Sequence, residues 1–292
     1  MSKIEQLPSG VKIANLKDLE HIATNYDMLF FHGTSPISEL VELIELLTRK
    51  NDQFSHIGMY TTPHLYPEQE QQFNTEMHNV VNNGLILEST ANTDISGHTD
   101  GVPDLISNKY RIGVQLRHAQ EVIQSYYDNS NAYVALARLK HNPWKDIEAQ
   151  GNLQRLSQKF LDTYHNRYYE LNFLNLLASA FIQLRAYRDI ANRLLYGSDK
   201  VQAKPLPDYN LDQYIDEQTI NKIVANLEDP ANAELLFCSE LCAMIYKMIK
   251  LIPEGILPAN VVPVDFLHFD LFEELIYIVP DNHMERVKSE AA

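Results

Sequence analysis

Cys238 is one of two cysteines in a chain of 292 residues, and it stands where a thiol could become a nucleophile. The apolar approach Leu235-Leu236-Phe237 ends at it, and Leu241, Ile245, Met248, Ile249 and Ile252 then recur at helical spacing until Pro253. That spacing places Cys238 in the first turn of a buried helix. Unpaired N–H groups and the positive end of the helix dipole favour thiolate over thiol there. Cys242 lies one turn further in, among Leu241, Ile245 and Tyr246, and without that advantage it is expected only to pack. A thiolate nucleophile needs a base, and the base needs a third group to fix its tautomer. Among eleven histidines, His56 stands out because it opens an apolar strand beside Ser55 and Gly58, where an imidazole can project into a cleft. Glu88 closes the apolar run Leu85-Ile86-Leu87, so it is expected to be half buried and to need a donor. Plainer assignments stand beside these: a small apolar residue under a helix start, a solvent-facing or satisfied core histidine, and a solvated strand-end glutamate.

Other elements must bring the three residues together. Apolar alternation and β-rich runs predict strands over 26–31, 53–62, 84–89, 112–116 and 133–139. Ser35 as N-cap and Pro36 at the first helical position open a helix that runs to residue 50 along the stripe Ile37, Leu40, Val41, Ile44 and Leu47. Further helices are expected over 15–23, 69–77, 118–127, 152–164, 171–196 and 215–227, with a Gly-, Asp- and Thr-rich loop over 91–108. A last strand or helix before Pro280 is followed by twelve polar residues expected to fray. Strands dominate the first half and helices the second, which is the pattern of an α+β fold. If the strands at 53–62 and 84–89 pair as a hairpin, His56 and Glu88 lie on one face.

Composition excludes several function classes. Hydrophobic residues make up 45% of the chain and aromatics 10%, too much for a disordered protein. A net charge of −15 argues against nucleic acid as a partner, because phosphate binding needs a concentrated basic face. Cysteines four apart on one helix cannot bridge without strain, so both are expected reduced, and no metal or other cofactor is expected. The longest apolar run, 171–184, contains Asn172, Asn175, Ser179 and Gln183 and is too short for a transmembrane segment. Arg185, Arg188, Arg193, Lys200 and Lys204 follow it, so 171–204 could touch a membrane surface transiently or meet an acidic substrate; ordinary packing with a solvated face is the other use. Residues 1–29 show neither an apolar core segment nor a small-residue cleavage site. A cytoplasmic location is therefore expected, a viral protein or an effector secreted without a signal peptide being compatible with it.

Ser55-His56-Ile57-Gly58-Met59-Tyr60, then Leu85-Ile86-Leu87-Glu88-Ser89, then Phe237-Cys238-Ser239-Glu240-Leu241 resemble, in that order, the motifs of the permuted NlpC-type papain-like cysteine hydrolases, the YiiX-like group with its poxvirus relatives. In that family the motifs read roughly S-H-x-G-[IV]-[VY], a hydrophobic strand ending in E, and [YF]-C-S-E-[LF]. Asp27-Met28-Leu29-Phe30-Phe31 is similar to the family's opening strand, with Tyr26 where glycine is usual. Tyr168-Tyr169-Glu170 looks like its P-Y-D element, with Glu170 in place of aspartate, and Asn260-Val261-Val262-Pro263-Val264-Asp265-Phe266-Leu267 is similar to its closing T-P-x-D-L. The resemblance spans most of the chain in short islands.

What the resemblance implies is a circularly permuted papain-like fold, an antiparallel sheet or small barrel packed against helices. It would form a single domain over 1–292 with a helical insertion at 151–234 before the cysteine helix. Cys238 would be the nucleophile, His56 the base and Glu88 the residue that orients it. The Cys238 N–H would hold the oxyanion, with Tyr169 and Ser239 as oxyanion or substrate-positioning residues; Tyr169 could equally be a core aromatic beside Leu171 and Phe173. The activity implied is that of a cysteine hydrolase or acyltransferase cleaving an amide or acyl bond through a thioester. Its substrate would be a small molecule, a lipid or a peptide, and the apolar insertion favours lipid-like acyl groups. A peptidoglycan-type peptidase and a catalytically silent lipid- or peptide-binding module are the alternatives.

Overall fold

The computed structural model describes residues 11–32, 54–70, 73, 84–91, 101–110, 112–129, 133–165, 238–256, 258, 261 and 263–291. The helices expected at 35–50, 171–196 and 215–227, most of the one at 69–77, Tyr169, the basic stretch 171–204 and the insertion beyond residue 165 lie outside the described residues.

Seven strands are described: β1 Lys12–Asn15, β2 Met28–His32, β3 His56–Thr61, β4 Leu85–Ala91, β5 Ile112–His118, β6 Tyr133–Leu139 and β7 Phe272–Val279. They form one sheet in the order β1-β7-β6-β2-β3-β4-β5. Every neighbouring pair is antiparallel except β1 with β7, which is parallel. The architecture is thus α+β with a mixed sheet, which corrects the expectation of an antiparallel one. The parallel edge comes from β1, where no strand is expected from the sequence. Four residues are too few for a clear alternation, and the partner strand lies at the far end of the chain.

Six α-helices are described beside the sheet: α1 Leu19–Ile22, α2 Ala119–Asn129, α3 Ile147–Tyr164, α4 Cys238–Met248, α5 Pro263–His268 and α6 Met284–Ala291. No helix among the described residues is long and apolar enough to cross a membrane. Three expectations about helix ends need correction. The third helix begins at Ile147, not at residue 152, because the Asp146 carboxylate accepts the Glu148 N–H at 3.0 Å and caps it, while Gly151 is simply carried inside. The cysteine helix stops at Met248, well before Pro253. Lys250 takes a left-handed φ of 62° and the Leu251 N–H reaches back to the Tyr246 carbonyl at 2.7 Å, closing the last turn. The terminal residues are helical instead of frayed, since Val287 is buried and Asp281, just ahead of α6, bonds to Lys17 and Asn15.

The core lies between these elements. Leu29, Phe30, Phe31, Ile57, Leu85 and Leu136 are wholly buried along the middle strands, each worth about 1.5–3 kcal/mol on removal from water. β2 begins at Met28 and not at residue 26 because Tyr26 has a φ of 75°, a conformation in which glycine is strain-free and a tyrosine costs about 1–2 kcal/mol. Contacts around it hold it there. Its hydroxyl shares a 2.8 Å hydrogen bond with Ser157 of α3, and its carbonyl accepts the Tyr246 hydroxyl of α4 at 2.6 Å. The adjoining Asp27 carboxylate accepts N–H groups from Thr24 and Leu139 and the Asn142 amide. One turn before β2 therefore ties α3 and the cysteine helix to the sheet. α4 packs on β3 and β4, and Met59, Leu87, Leu156, Phe160, Ile245 and Met248 line a small apolar hollow between them and α3.

Candidate active site

Pairing of β3 with β4 runs from Thr61 opposite Leu85 to Met59 opposite Leu87 and goes no further. The strand ends beyond it carry His56 on β3 and Glu88 on β4. Where the ladder stops, the Ile57 N–H is no longer committed to a neighbouring carbonyl of β4. It points instead to the sulfur of Cys238, the first residue of α4, and the Ser239 N–H points there as well. Gly58 lets the elements approach this closely: a Cβ at that position would lie 2.5 Å from Ile86 Cδ1 and 3.1 Å from Glu88 Cβ.

His56 bridges the two other residues. Its Nε2–H donates to Glu88 Oε2 at 2.6 Å, and the ring also hydrogen-bonds the Cys238 side chain, for which Nδ1 is the nitrogen left. The side chain of His56 is 12% exposed and that of Glu88 not at all, so an approaching molecule meets the sulfur and imidazole, never the carboxylate. The expectation of a half-buried Glu88 is corrected to a fully buried one, because two cationic partners replace the water it gives up.

Titration follows from these contacts. Burial alone would lower the His56 pKa, but the charge of the Cys238 sulfur, its hydrogen bond and the bond to Glu88 outweigh burial and push it up to about 10. Burial alone would raise the Cys238 thiol, yet the His56 charge and hydrogen bond, with the N–H groups of Ile57 and Ser239, hold it below its ordinary value. Both shifts favour thiolate and imidazolium over thiol and neutral imidazole. Cys242, one turn along the same helix, is buried and goes the opposite way: burial and the nearby Cys238 and Glu88 charges keep it a protonated thiol.

Arg117 on β5 is the residue that sequence reasoning missed. Its Nε and Nη2 approach Glu88 Oε1 at 2.7 and 2.5 Å, while Oε2 serves His56. Glu88 stands opposite Gln115 in the β4–β5 register and Ile86 opposite Arg117, so the carboxylate and guanidinium are diagonal neighbours on one face. Burial would push Glu88 up, but Arg117 first and His56 next hold it below the usual carboxylate range. A signal existed in the sequence. In the run Ile112 to His118, Gly113, Gln115 and Arg117 share one face, and an arginine set in an apolar strand needs a carboxylate once that face is covered. Of the remaining expected site residues, Ser239 is buried with its N–H on the sulfur, and Tyr169 lies outside the described residues.

A second buried carboxylate–histidine pair lies at the end of α3. His165 Nε2 donates to Asp104 Oδ2 at 2.9 Å, and the same carboxylate accepts the N–H and hydroxyl of Ser107 and the Leu116 N–H. No family model matches the chain, and no curated protein matches it significantly.

Proposed function

We propose that this chain is a cysteine-dependent hydrolase or acyltransferase, with Cys238 as nucleophile, His56 as general base and acid, and Glu88 as the group that orients the imidazole. One observation carries the proposal: a single imidazole hydrogen-bonded on one side to a buried carboxylate and on the other to a sulfur at a helix start. The thiolate adds to a carbonyl carbon, and the negative oxygen that forms is met by the N–H of Cys238 at the helix N-terminus. The His56 imidazolium then gives its proton to the leaving amine or alkoxide, the C–N or C–O bond breaks, and a thioester remains. Water or an acceptor hydroxyl next attacks the thioester while His56 takes the proton, and sulfur leaves as thiolate.

The same three residues, in the chain order His, Glu, Cys, support placing the chain with the permuted NlpC-type papain-like enzymes as one domain with an insertion before α4. Motif islands at Ser55–Tyr60, Leu85–Ser89 and Phe237–Leu241 carry that assignment. The substrate class favoured is an acyl group in amide, thioester or ester linkage, lipid-like ahead of peptide. Mass spectrometry of the intact protein after mixing with p-nitrophenyl esters of short and medium fatty acids tests the reading. A hydroxylamine-labile acyl adduct on Cys238, preceded by a burst of nitrophenol, is expected. A burst that persists in Cys238→Ala removes the proposal.

A further inference from the structure

We propose that Arg117 is a positioning residue: it keeps Glu88 a carboxylate and thereby fixes the tautomer of His56 that can take the Cys238 proton. The inference rests on the assignment of Cys238 and His56 as nucleophile and base. Its basis is the division of one carboxylate between two partners. Oε1 is gripped by the guanidinium Nε and Nη2, and Oε2 is left for His56 Nε2. Arg117 is 1% exposed, and its Nη1 donates further to the Val102 carbonyl at 3.4 Å, so the fork is held from behind.

The chemical consequence follows from counting protons. A buried carboxylate facing only an imidazole can discharge itself by taking the proton from Nε2. The ring would then accept at Nε2 and carry its hydrogen on Nδ1, where no lone pair would remain for the thiol proton. With Arg117 on the other oxygen, Glu88 has no reason to be neutral, Nε2 must donate, and Nδ1 faces the sulfur unprotonated or as imidazolium. Thiol with imidazole and thiolate with imidazolium then both sum to zero charge across the four side chains. Ionising the pair therefore buries no net charge. A lysine would supply the charge without the planar two-point grip.

The other titratable groups around the cluster come from the elements packed on it. Cys242 of α4 feels both Cys238 and Glu88 and stays a thiol. Asp104, bonded to the Leu116 N–H beside Arg117, is already engaged by His165 and Ser107. Glu240 of α4 and His118 of β5 are buried in the same two elements. None of them makes the two-point contact with Glu88 that Arg117 makes.

The test is the rate at which iodoacetamide alkylates Cys238 in the full chain from pH 4.5 to 10, read by mass spectrometry at that residue as sulfur displaces iodide. Wild type, Arg117→Lys and Arg117→Met are compared, together with Arg117→Met in a Glu88→Gln background. Wild type is expected to hold a plateau from about pH 6 to 9, whereas an ordinary thiol loses about tenfold per pH unit below its pKa. In Arg117→Met the acid limb moves up by one pH unit or more, so the rate at pH 6 falls about tenfold while that at pH 9.5 changes little. Arg117→Lys, which keeps the charge and loses the fork, moves it the same way by less. In the Glu88→Gln background Arg117→Met adds nothing. Profiles of both arginine variants that superimpose on wild type overturn the inference, as does a uniform drop at every pH or an undiminished shift without Glu88. Should Arg117→Met not fold, the displaced limb of Arg117→Lys decides alone. If wild-type Cys238 itself reacts at pH 6 no faster than Cys242 or glutathione, the nucleophile assignment fails instead.

Discussion

Two buried carboxylate–histidine pairs lie among the described residues, and only one of them sets its imidazole against a sulfur. Glu88 and His56 meet at 2.6 Å, and Asp104 and His165 at 2.9 Å. They differ in their third parties. Asp104 spends its remaining capacity on Ser107 and on the Leu116 N–H, so the pair stitches the 101–110 loop to β5 and to the end of α3. Glu88 spends its own on one guanidinium, and its histidine turns its other nitrogen toward a sulfur at a helix start. A carboxylate–histidine pair is thus a common structural fastener. It becomes an acid–base device only where the imidazole has a second, reactive partner and the surrounding charge cancels. The two cysteines of α4 repeat the lesson: Cys238 meets His56 and two N–H groups and is drawn toward thiolate, whereas Cys242 meets only apolar burial and negative charge.

The largest effect expected is at the sulfur itself. Cys238→Ala removes all fast labelling by iodoacetamide at pH 6.5, while Cys242→Ala leaves it intact; equal labelling of both cysteines in peptide mapping would erase the distinction between them. Next comes the contrast between histidines. His56→Gln should lower the alkylation rate at pH 6 by roughly ten- to a hundredfold, since the thiolate fraction of an ordinary cysteine there is below about 1%. His165→Leu should leave that rate within about twofold but cost about 1–3 kcal/mol in urea unfolding, because Asp104 keeps its burial and loses a donor. Reversed outcomes would exchange the roles of the two pairs.

A smaller effect lies in the pH dependence of stability. His56, raised to about 10, contributes stability that is complete below its unfolded value of about 6.5 and lost as the pH rises through 10. Cys238, lowered, contributes stability present above its unfolded value of about 8.5 and lost as the pH falls through its folded one. Above the unfolded thiol's value of about 8.5 the unfolded pair holds no proton, while the folded His56 still holds one. There, wild type should lose up to about 1.4 kcal/mol per pH unit until His56 titrates. Cys238→Ala should lack that limb in denaturant titrations at pH 7.5 and 9.5; an identical decline in both proteins would mean that the pair is not ionised. The smallest effect belongs to the far end of α4. Lys250→Gly relieves a left-handed backbone and should add about 0.5–1 kcal/mol without altering Cys238 reactivity.

Much of this arrangement was legible before any coordinates. Apolar alternation located β2 to β6 within a few residues, and the periodicity after Cys238 located the start of α4. Strand order and parity made it feasible for His56 and Glu88 to share a face, and they do. The errors have physical causes. Helix ends depend on single dihedrals and caps, such as Lys250 and Asp146, that periodicity does not report. β1 and α6 are held by partners distant in sequence, Ile276 for Lys12 and Lys17 for Asp281, so local composition underestimates them. Arg117 was passed over because an arginine in a strand looks solvated until the strand is known to be covered.

The sequence by itself determined which side chains could do chemistry and in what order the elements carry them, because helical and strand periods and the reactivity of a thiol at a helix start are local properties. The tertiary structure alone decided that His56 reaches that sulfur and that its carboxylate is shared with an arginine. It also decided that the neighbouring cysteine is silenced. The reason is that charge states in a protein are set by what lies within a few ångströms in space, and burial magnifies each of those contacts, while the chain places the same residues tens to hundreds of positions apart.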